Sequence, residues 1–308
     1  MSGRITGAVR FREPLSFHTS LRIGGPAEFF IVPQDLDDLR YALAFAEQED
    51  LPLIVIGGGN NLLVSDRSLQ AVIVKLEGTL GRAKFTGDEV AVGAGMLLSA
   101  LIREAAAQGL GGLEYLVGIP ATVGAELATK ARTPEGALID HCSAVYFVLP
   151  DGTLGEHRAR GPAGGRTFDL PRGGIIVGCR LQLERRPAQV VQKALQYRLK
   201  VWKESQPFAL ATAGYIWKDP PGDRAARLIE MVGLRAKRVK GAEISAKSAN
   251  LIINRGGATH HDILALMDMT RERVEARMGI TLHPEITLVG FPAGAPFEAQ
   301  PMELSAAR

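Results

Sequence analysis

Cysteine is nearly absent from this 308-residue chain: only Cys142 and Cys179 occur, and no C-x-x-C pair. That excludes a disulfide framework and a cysteine-rich zinc site, and it fits a reducing, cytoplasmic setting. The flanks of both cysteines are apolar, as for buried, inert thiols. Long apolar runs are also missing. No stretch approaches the ~18 residues of a membrane span, and the start, "MSGRITGAVRFREPLSF", has no apolar core of a signal peptide. His260 and His261 open a predicted helix without cysteine or carboxylate partners at ligand spacing, so no metal site is expected. Charge of one sign is scarce too. The net charge of +3 is dispersed, which argues against nucleic acid as a partner and leaves a small anionic ligand open. The one basic run, Arg235–Lys240, reads as a solvated loop.

What is present is apolar residue (46%) and glycine (35 residues), enough for a sizeable core with many tight turns. "AEFFIVPQ" predicts a strand ended by Pro33. Asp35 caps a helix with Leu36, Leu39, Leu43 and Ala46 on one face. "LPLIVIGGG", Ala71–Leu76 and Glu89–Gly95 read as further strands, and "MLLSALIREAAAQGL" as a helix closed by Gly109. The stretch from Gly111 to about Gly174 reads as loops. "GGIIVGCRLQLERR" is then a strand and "AQVVQKALQYRLKVWKE" a helix, punctuated at Gln206–Pro207. The last third alternates "DRAARLIEMVGL" (helix), "NLIINRGG" (strand), a long helix from His260 with Ile263, Met267, Thr270 and Val274 inward, and "TLHPEITLVGF" (strand). Such alternation implies an α/β or α+β layer architecture. A composition change near Ala194 divides the chain into 1–193 and 194–308. No repeat or low-complexity tract appears.

"IVIGGGNNLLVSD" carries the chemistry most visibly. Three successive glycines let backbone N–H groups converge on an anion such as a diphosphate. No Gly-Lys-Ser/Thr follows and the turn does not open a helix, so neither a P-loop nor a dinucleotide fingerprint is formed. A plain tight turn between strands is the other reading.

"PLSFHTSLRIGGPAEFFIVP", "VIGGGNNLLVSD", "GIPATVG", "IWKDP", "RLIEMVGL", "ISAKSANLIIN" and "LHPEITLVG" occur in order from about Pro14 to Gly290. In that order and spacing they resemble the UDP-N-acetylenolpyruvoylglucosamine reductase (UDP-N-acetylmuramate dehydrogenase) family, in its shorter subgroup. The resemblance implies an α+β fold, with an FAD-binding region of the vanillyl-alcohol-oxidase type followed by a smaller substrate domain. It implies FAD as cofactor, NADPH and a UDP-sugar as partners, no partner chain (a monomer), and a role in peptidoglycan synthesis. By this likeness Arg22, Ile23, Gly24, Gly57, Gly58, Gly59, Asn60, Asn61 and Leu62 contact the cofactor. So do Gly118, Ile119, Pro120, Thr122, Val123 and Gly124 in a second loop. Glu285 matches the family's catalytic glutamate, Lys218 its "FKNP" lysine, and Asn250 the asparagine of its "S-x-K-H-A-N" motif. Taken alone, these three would read as a surface carboxylate, a solvated lysine and a turn-capping amide.

The chain also departs from the family pattern. Tyr215 stands at the family's proton-donor serine, with its oxygen a full ring further from the backbone, and Trp217 stands at a Phe-like position. The catalytic arginine falls on Pro171, so that Arg172, or less readily Arg166, would replace it. The second loop, usually "GIPGTVGGAxxMNAGAYG", reads "GIPATVGAELATKARTPEG". Ala121 and Ala125 stand where glycine is usual, and their methyls are expected to crowd the flavin or to bar a positive φ. Glu126 introduces a charge, and Thr129, Lys130 and Arg132 replace Met, Asn and Gly. Two functions follow as expectations: the FAD- and NADPH-dependent reductase, with Glu285, Tyr215 and Arg172 at the reacting centre, or a degenerate, repurposed paralogue with weakened or absent flavin binding.

Overall fold

The computed structural model describes residues 4–161, 165–205, 210–292, 297 and 303–304. Gln206 and Pro207 lie outside them. In chain order, β1 (Ala8–Pro14), β2 (Pro26–Val32), α1 (Leu36–Gln48), β3 (Leu53–Ile56), β4 (Leu62–Val64) and β5 (Leu69–Lys75) come first. The sheet order is β1-β2-β5-β3, with β2, β5 and β3 parallel, β1 antiparallel at one edge and the short strand Glu303–Leu304 antiparallel to β3 at the other. The central position of β5 explains its near-continuous apolar run: covered on both faces, it cannot alternate. Asp35 caps α1 by accepting from the amides of Asp37 and Asp38. The buried Asp38 carboxylate ties down the chain start, accepting from the amides of Thr6, Gly7 and Gln34.

The second layer is β6 (Ala83–Thr86), β7 (Glu89–Gly93), α2 (Leu98–Ala107), β8 (Leu110–Gly111), α3 (Val123–Thr129), β9 (Cys142–Val148), β10 (Leu154–Arg158), β11 (Ile175–Gln182), β12 (Glu184–Arg185) and α4 (Ala188–Ser205). Five of these strands form an antiparallel sheet in the order β10-β9-β11-β7-β6. The region Gly111–Gly174 is therefore not merely loops. It holds α3 and two strands, too short or too polar on one face to stand out by periodicity. Cys142 and Cys179 are both buried, on β9 and β11.

The last part is β13 (Ala211–Tyr215), α5 (Ala225–Met231), β14 (Arg238–Val239), β15 (Ala242–Ile244), β16 (Leu251–Asn254), α6 (His260–Met278) and β17 (Thr287–Val289). β13-β16-β15-β14 form an antiparallel sheet covered by α5 and α6, whose Ile263, Met267, Thr270 and Val274 are all buried. Gly279 closes α6 in the left-handed conformation (φ 68°). The basic run is partly neutralised, since Arg235 pairs with Glu230 and Arg238 with the buried Glu243.

Two features join this part to the first. β17 pairs in parallel with β4, Thr287 opposite Leu62. Leu21, Ile23 and Leu63 pack into the same apolar cluster as Ile216, Trp217, Leu228 and Ile263. The glycine turn after β3 thus leads directly into a strand that carries the C-terminal region.

Candidate functional site

The Gly57–Asn61 turn connects β3 to β4, and Gly59 has no latitude. A Cβ on Gly59 (φ 67°) would lie 1.9 Å from the His18 carbonyl oxygen, and one on Gly58 would lie 2.3 Å from Asn60 Nδ2. Among the described residues, the amides of Gly58, Gly59 and Asn60 donate to no backbone or side-chain acceptor. Successive unpaired backbone N–H groups in a glycine-rich turn are the makings of an anion nest. They fit the diphosphate of a dinucleotide.

The Leu21–Ala27 segment lies against this turn. Ser20 N donates to Gly59 O at 3.0 Å. Thr19 Oγ1 donates to Ile23 O and accepts from Ile23 N, a clasp that holds Arg22 at φ 55° with its side chain exposed. A left-handed arginine is a strained residue kept in place by its surroundings.

The second loop closes the other side. Asn60 Nδ2 donates to Pro120 O. A Cβ on Gly57 would meet Thr122 Oγ1 at 2.8 Å and the Ala125 methyl at 3.1 Å. Thr122 caps α3, accepting from the Ala125 amide, and Gly124 packs on Ala94. Gly118 (φ 91°) lies under the indole of Trp202 on α4, leaving no space for a side chain. Ile119 is half-buried and Val123 buried. The expected obstacle at Ala121 and Ala125 does not arise on the backbone side. Neither has a positive φ, and Ala125 sits within a regular helix. The chain conformation that would demand glycine occurs at Gly59 and Gly118, where glycine is retained.

The C-terminal residues reach the same place through backbone pairing. Ser20 Oγ donates to Thr212 O at 2.6 Å. Glu285 N donates to Ile216 O at 2.8 Å, Asn61 Nδ2 to Glu285 O at 3.1 Å, and Lys218 N to His283 O at 2.9 Å. The side chains of Tyr215, Lys218 and Glu285 are exposed beside the glycine turn, Tyr215 at 54%. Asn250 is used differently. It is buried, with Oδ1 accepting from Trp217 N (2.9 Å) and Nδ2 donating to Trp217 O (2.8 Å). Both ends of its amide hold the Trp217 backbone, between Tyr215 and Lys218. Arg172 is exposed on the turn Pro171–Gly174. Arg166 instead turns inward, donating from Nη1 to Cys142 O at 2.6 Å.

Sequence reasoning missed what Glu126 does. It is 4% exposed, Oε1 has no hydrogen-bond partner, and burial raises its pKa to about 7. The signal was available: Val123, Glu126 and Leu127 are spaced i, i+3, i+4, the inward face of α3. Near it, the buried Tyr115 hydroxyl is also unpartnered. Burial and then the neighbouring Asp140 carboxylate push its pKa up to about 12.

A parallel-cored sheet ending in a glycine anion nest, closed by a second loop, is the arrangement of a dinucleotide-binding flavoprotein, and the FAD binding domain model matches residues 27–157. The chain is an FAD-dependent oxidoreductase. The model for the C-terminal domain of UDP-N-acetylenolpyruvoylglucosamine reductase matches residues 206–289. The reductase of Geobacter metallireducens is 38% identical over 94% of this chain and 97% of its own length. Reductase 2 of Symbiobacterium thermophilum is 38% identical over 93% and 94%. The crystal structure of the Thermus caldophilus enzyme superimposes with a TM-score of 0.77 at 33% identity, covering 92% of this chain and 99% of that one. The chain belongs to the UDP-N-acetylenolpyruvoylglucosamine reductase family.

Proposed function

We propose that the chain reduces UDP-N-acetylglucosamine enolpyruvate to UDP-N-acetylmuramate with electrons from NADPH, as a cytoplasmic, monomeric enzyme of peptidoglycan synthesis. Residues 1–193 hold the cofactor and 194–308 the substrate. The observation that carries this reading is the convergence of the glycine turn, the Tyr215–Lys218 segment and Glu285, linked by the Asn61–Glu285 and Glu285–Ile216 hydrogen bonds.

When bound, FAD would supply the hydride-transfer chemistry that links NADPH to the enolpyruvyl ether and that no side chain supplies. The chain does the rest. Amides of Gly58, Gly59 and Asn60 hold the cofactor diphosphate. The Lys218 ammonium binds an anionic group of the UDP-sugar and offsets charge that develops toward the substrate carboxylate. The Tyr215 hydroxyl delivers the proton to C2, in place of the serine its relatives' motif carries. Glu285, in the segment just before β17, binds and orients the reacting group. Asn250, through the Trp217 backbone, positions Tyr215 and Lys218. Arg172 is free to fold over a bound carboxylate from its turn.

The reading is tested with purified protein, NADPH and the enolpyruvyl substrate. A yellow protein that oxidises NADPH only when that substrate is present supports it. A protein that stays colourless after incubation with FAD sinks it and returns the repurposed-paralogue reading.

A further inference from the structure

At the C-terminal end of α3 a cavity of about 110 Å³ is bounded by Glu126, Lys130, Phe168, Arg132 and Arg166. Its size is well below the roughly 300–1,000 Å³ of a pocket that encloses a whole drug-sized ligand. It admits the edge of one planar ring. Its walls are apolar, with Leu127, Ile139 and the buried Phe168 ring, and its polar groups are unevenly committed. Arg132 pairs with Asp140 and Arg166 holds the Cys142 carbonyl. Lys130 Nζ lies 5.7 Å from the centroid of Phe168 and, from its place as the left-handed cap just after α3, forms no ion pair with Glu126. Glu126 lines the same cavity, and its buried Oε1 has no partner. Lys130 is moreover held at φ 51°, a left-handed lysine that its surroundings must stabilise.

A buried orphan oxygen costs free energy until something pairs with it. A planar group that presents an N–H toward Glu126 and a carbonyl toward Lys130 would answer both side chains at once. We propose that this cavity reads a cyclic imide edge, an N–H flanked by two carbonyls, with Glu126 pairing the N–H and Lys130 a flanking carbonyl. A carboxyl group can meet such an edge with two parallel hydrogen bonds when protonated, or accept the N–H alone when ionised. The pKa near 7 keeps both forms available.

Two molecules bring this edge: the pyrimidine end of the flavin ring and the uracil of a UDP-sugar. The inference rests on the reading above that the chain binds both. Position favours the flavin. The first turn of the same helix, with Thr122 and Ala125, lies against Gly57 of the glycine nest, and Thr129 at its end is about 6 Å beyond Ala125 at 1.5 Å per residue, within the span of one dinucleotide.

The test compares imide ligands with their N3-methyl analogues, which lack the N–H. The full-length chain, freed of flavin, is titrated with FAD and with 3-methyl-FAD by fluorescence. The FAD-saturated chain is titrated with UMP and 3-methyl-UMP by calorimetry. Roughly tenfold weaker binding of 3-methyl-FAD alone assigns the cavity to the flavin; the same loss for 3-methyl-UMP alone assigns it to the base. Glu126→Ala is expected to abolish the discrimination. Glu126→Gln, whose amide still pairs with an imide, is expected to keep it and controls for folding. No discrimination in either arm, discrimination in both, or discrimination that survives Glu126→Ala overturns the proposal. Turnover is not read. A chain that discriminates but does not reduce substrate leaves this inference standing, while one that turns over without discriminating loses only this inference.

Discussion

Glu126→Gln should change the stability of this protein in a strongly pH-dependent way. In the fold the carboxyl titrates at about 7 instead of its ordinary 4.5, because α3 turns it into an apolar interior. At roughly 1.4 kcal/mol per pH unit, that displacement corresponds to about 3 kcal/mol. The sign follows from proton counts. Between pH 4.5 and 7 the folded state holds a proton that the unfolded state has released, so stability falls as pH rises, and above pH 7 the full penalty is present. Glutamine never ionises and escapes it. Urea denaturation of both proteins at equal flavin occupancy should therefore show the variant gaining about 3 kcal/mol on the wild type between pH 4.5 and pH 8. The difference between the two proteins cancels other titrations such as that of His141, whose pKa burial lowers. A difference flat to within about 0.5 kcal/mol across that range would refute the claim that the Glu126 carboxyl is buried without a partner.

Tyr215→Phe removes the proposed proton donor and keeps the ring. It should lower kcat by about 10²–10⁴ with KM little changed, and an unchanged kcat would remove Tyr215 from the chemistry. Asn250→Ala leaves the Trp217 amide and carbonyl unpaired in the interior and should cost about 2–4 kcal/mol; a loss below 1 kcal/mol in urea melts would show that the clamp on the Tyr215 strand is dispensable. Gly58→Ala brings a methyl against the mobile end of Asn60, displacing its bond to Pro120. Flavin affinity should fall at least tenfold while the melting temperature moves by only a few degrees, and unchanged affinity by fluorescence titration would dismiss the nest.

The fold was legible wherever one period ruled. α1 with its Asp35 cap, α6 with its inward Ile263, Met267, Thr270 and Val274, and the unbroken apolar run of β5 all follow from spacing. The stretch between Gly111 and Gly174 was not legible. α3 has seven residues, fewer than two turns of contrast, and β10 alternates exposed and half-buried residues only. At the site, the glycines could be read because only glycine survives at φ 67° against a carbonyl 1.9 Å away. The role of Asn250 could not, since its partner is a backbone 33 residues distant, which no local pattern encodes. The resemblance located Ala121 and Ala125 as departures, but only the backbone conformation showed that they are compatible with the turn.

The departures of the second loop then become one structural unit. Ala125, Glu126 and Lys130 lie on α3 or at its end, with Arg132 just beyond, and Phe168 and Arg166 face them from the next segment. A methyl at 125 packs on Gly57 and adds no strain. A carboxyl at 126 would carry an uncompensated cost in an interior walled by Leu127, Ile139 and Phe168, and a lysine at 130 carries a left-handed backbone. Random decay of a loop scatters such costs. Here both fall on the same cavity, on groups of complementary hydrogen-bonding character that do not satisfy each other. That arrangement is expected of a site whose last partner is a ligand. Glu126→Ala combined with Lys130→Asn, the family's own pair, should therefore stabilise the ligand-free chain above pH 7 and weaken its hold on FAD. If the double variant gains both stability and flavin affinity, the pair has no function in binding, and the loop is a worn version of its relatives' loop.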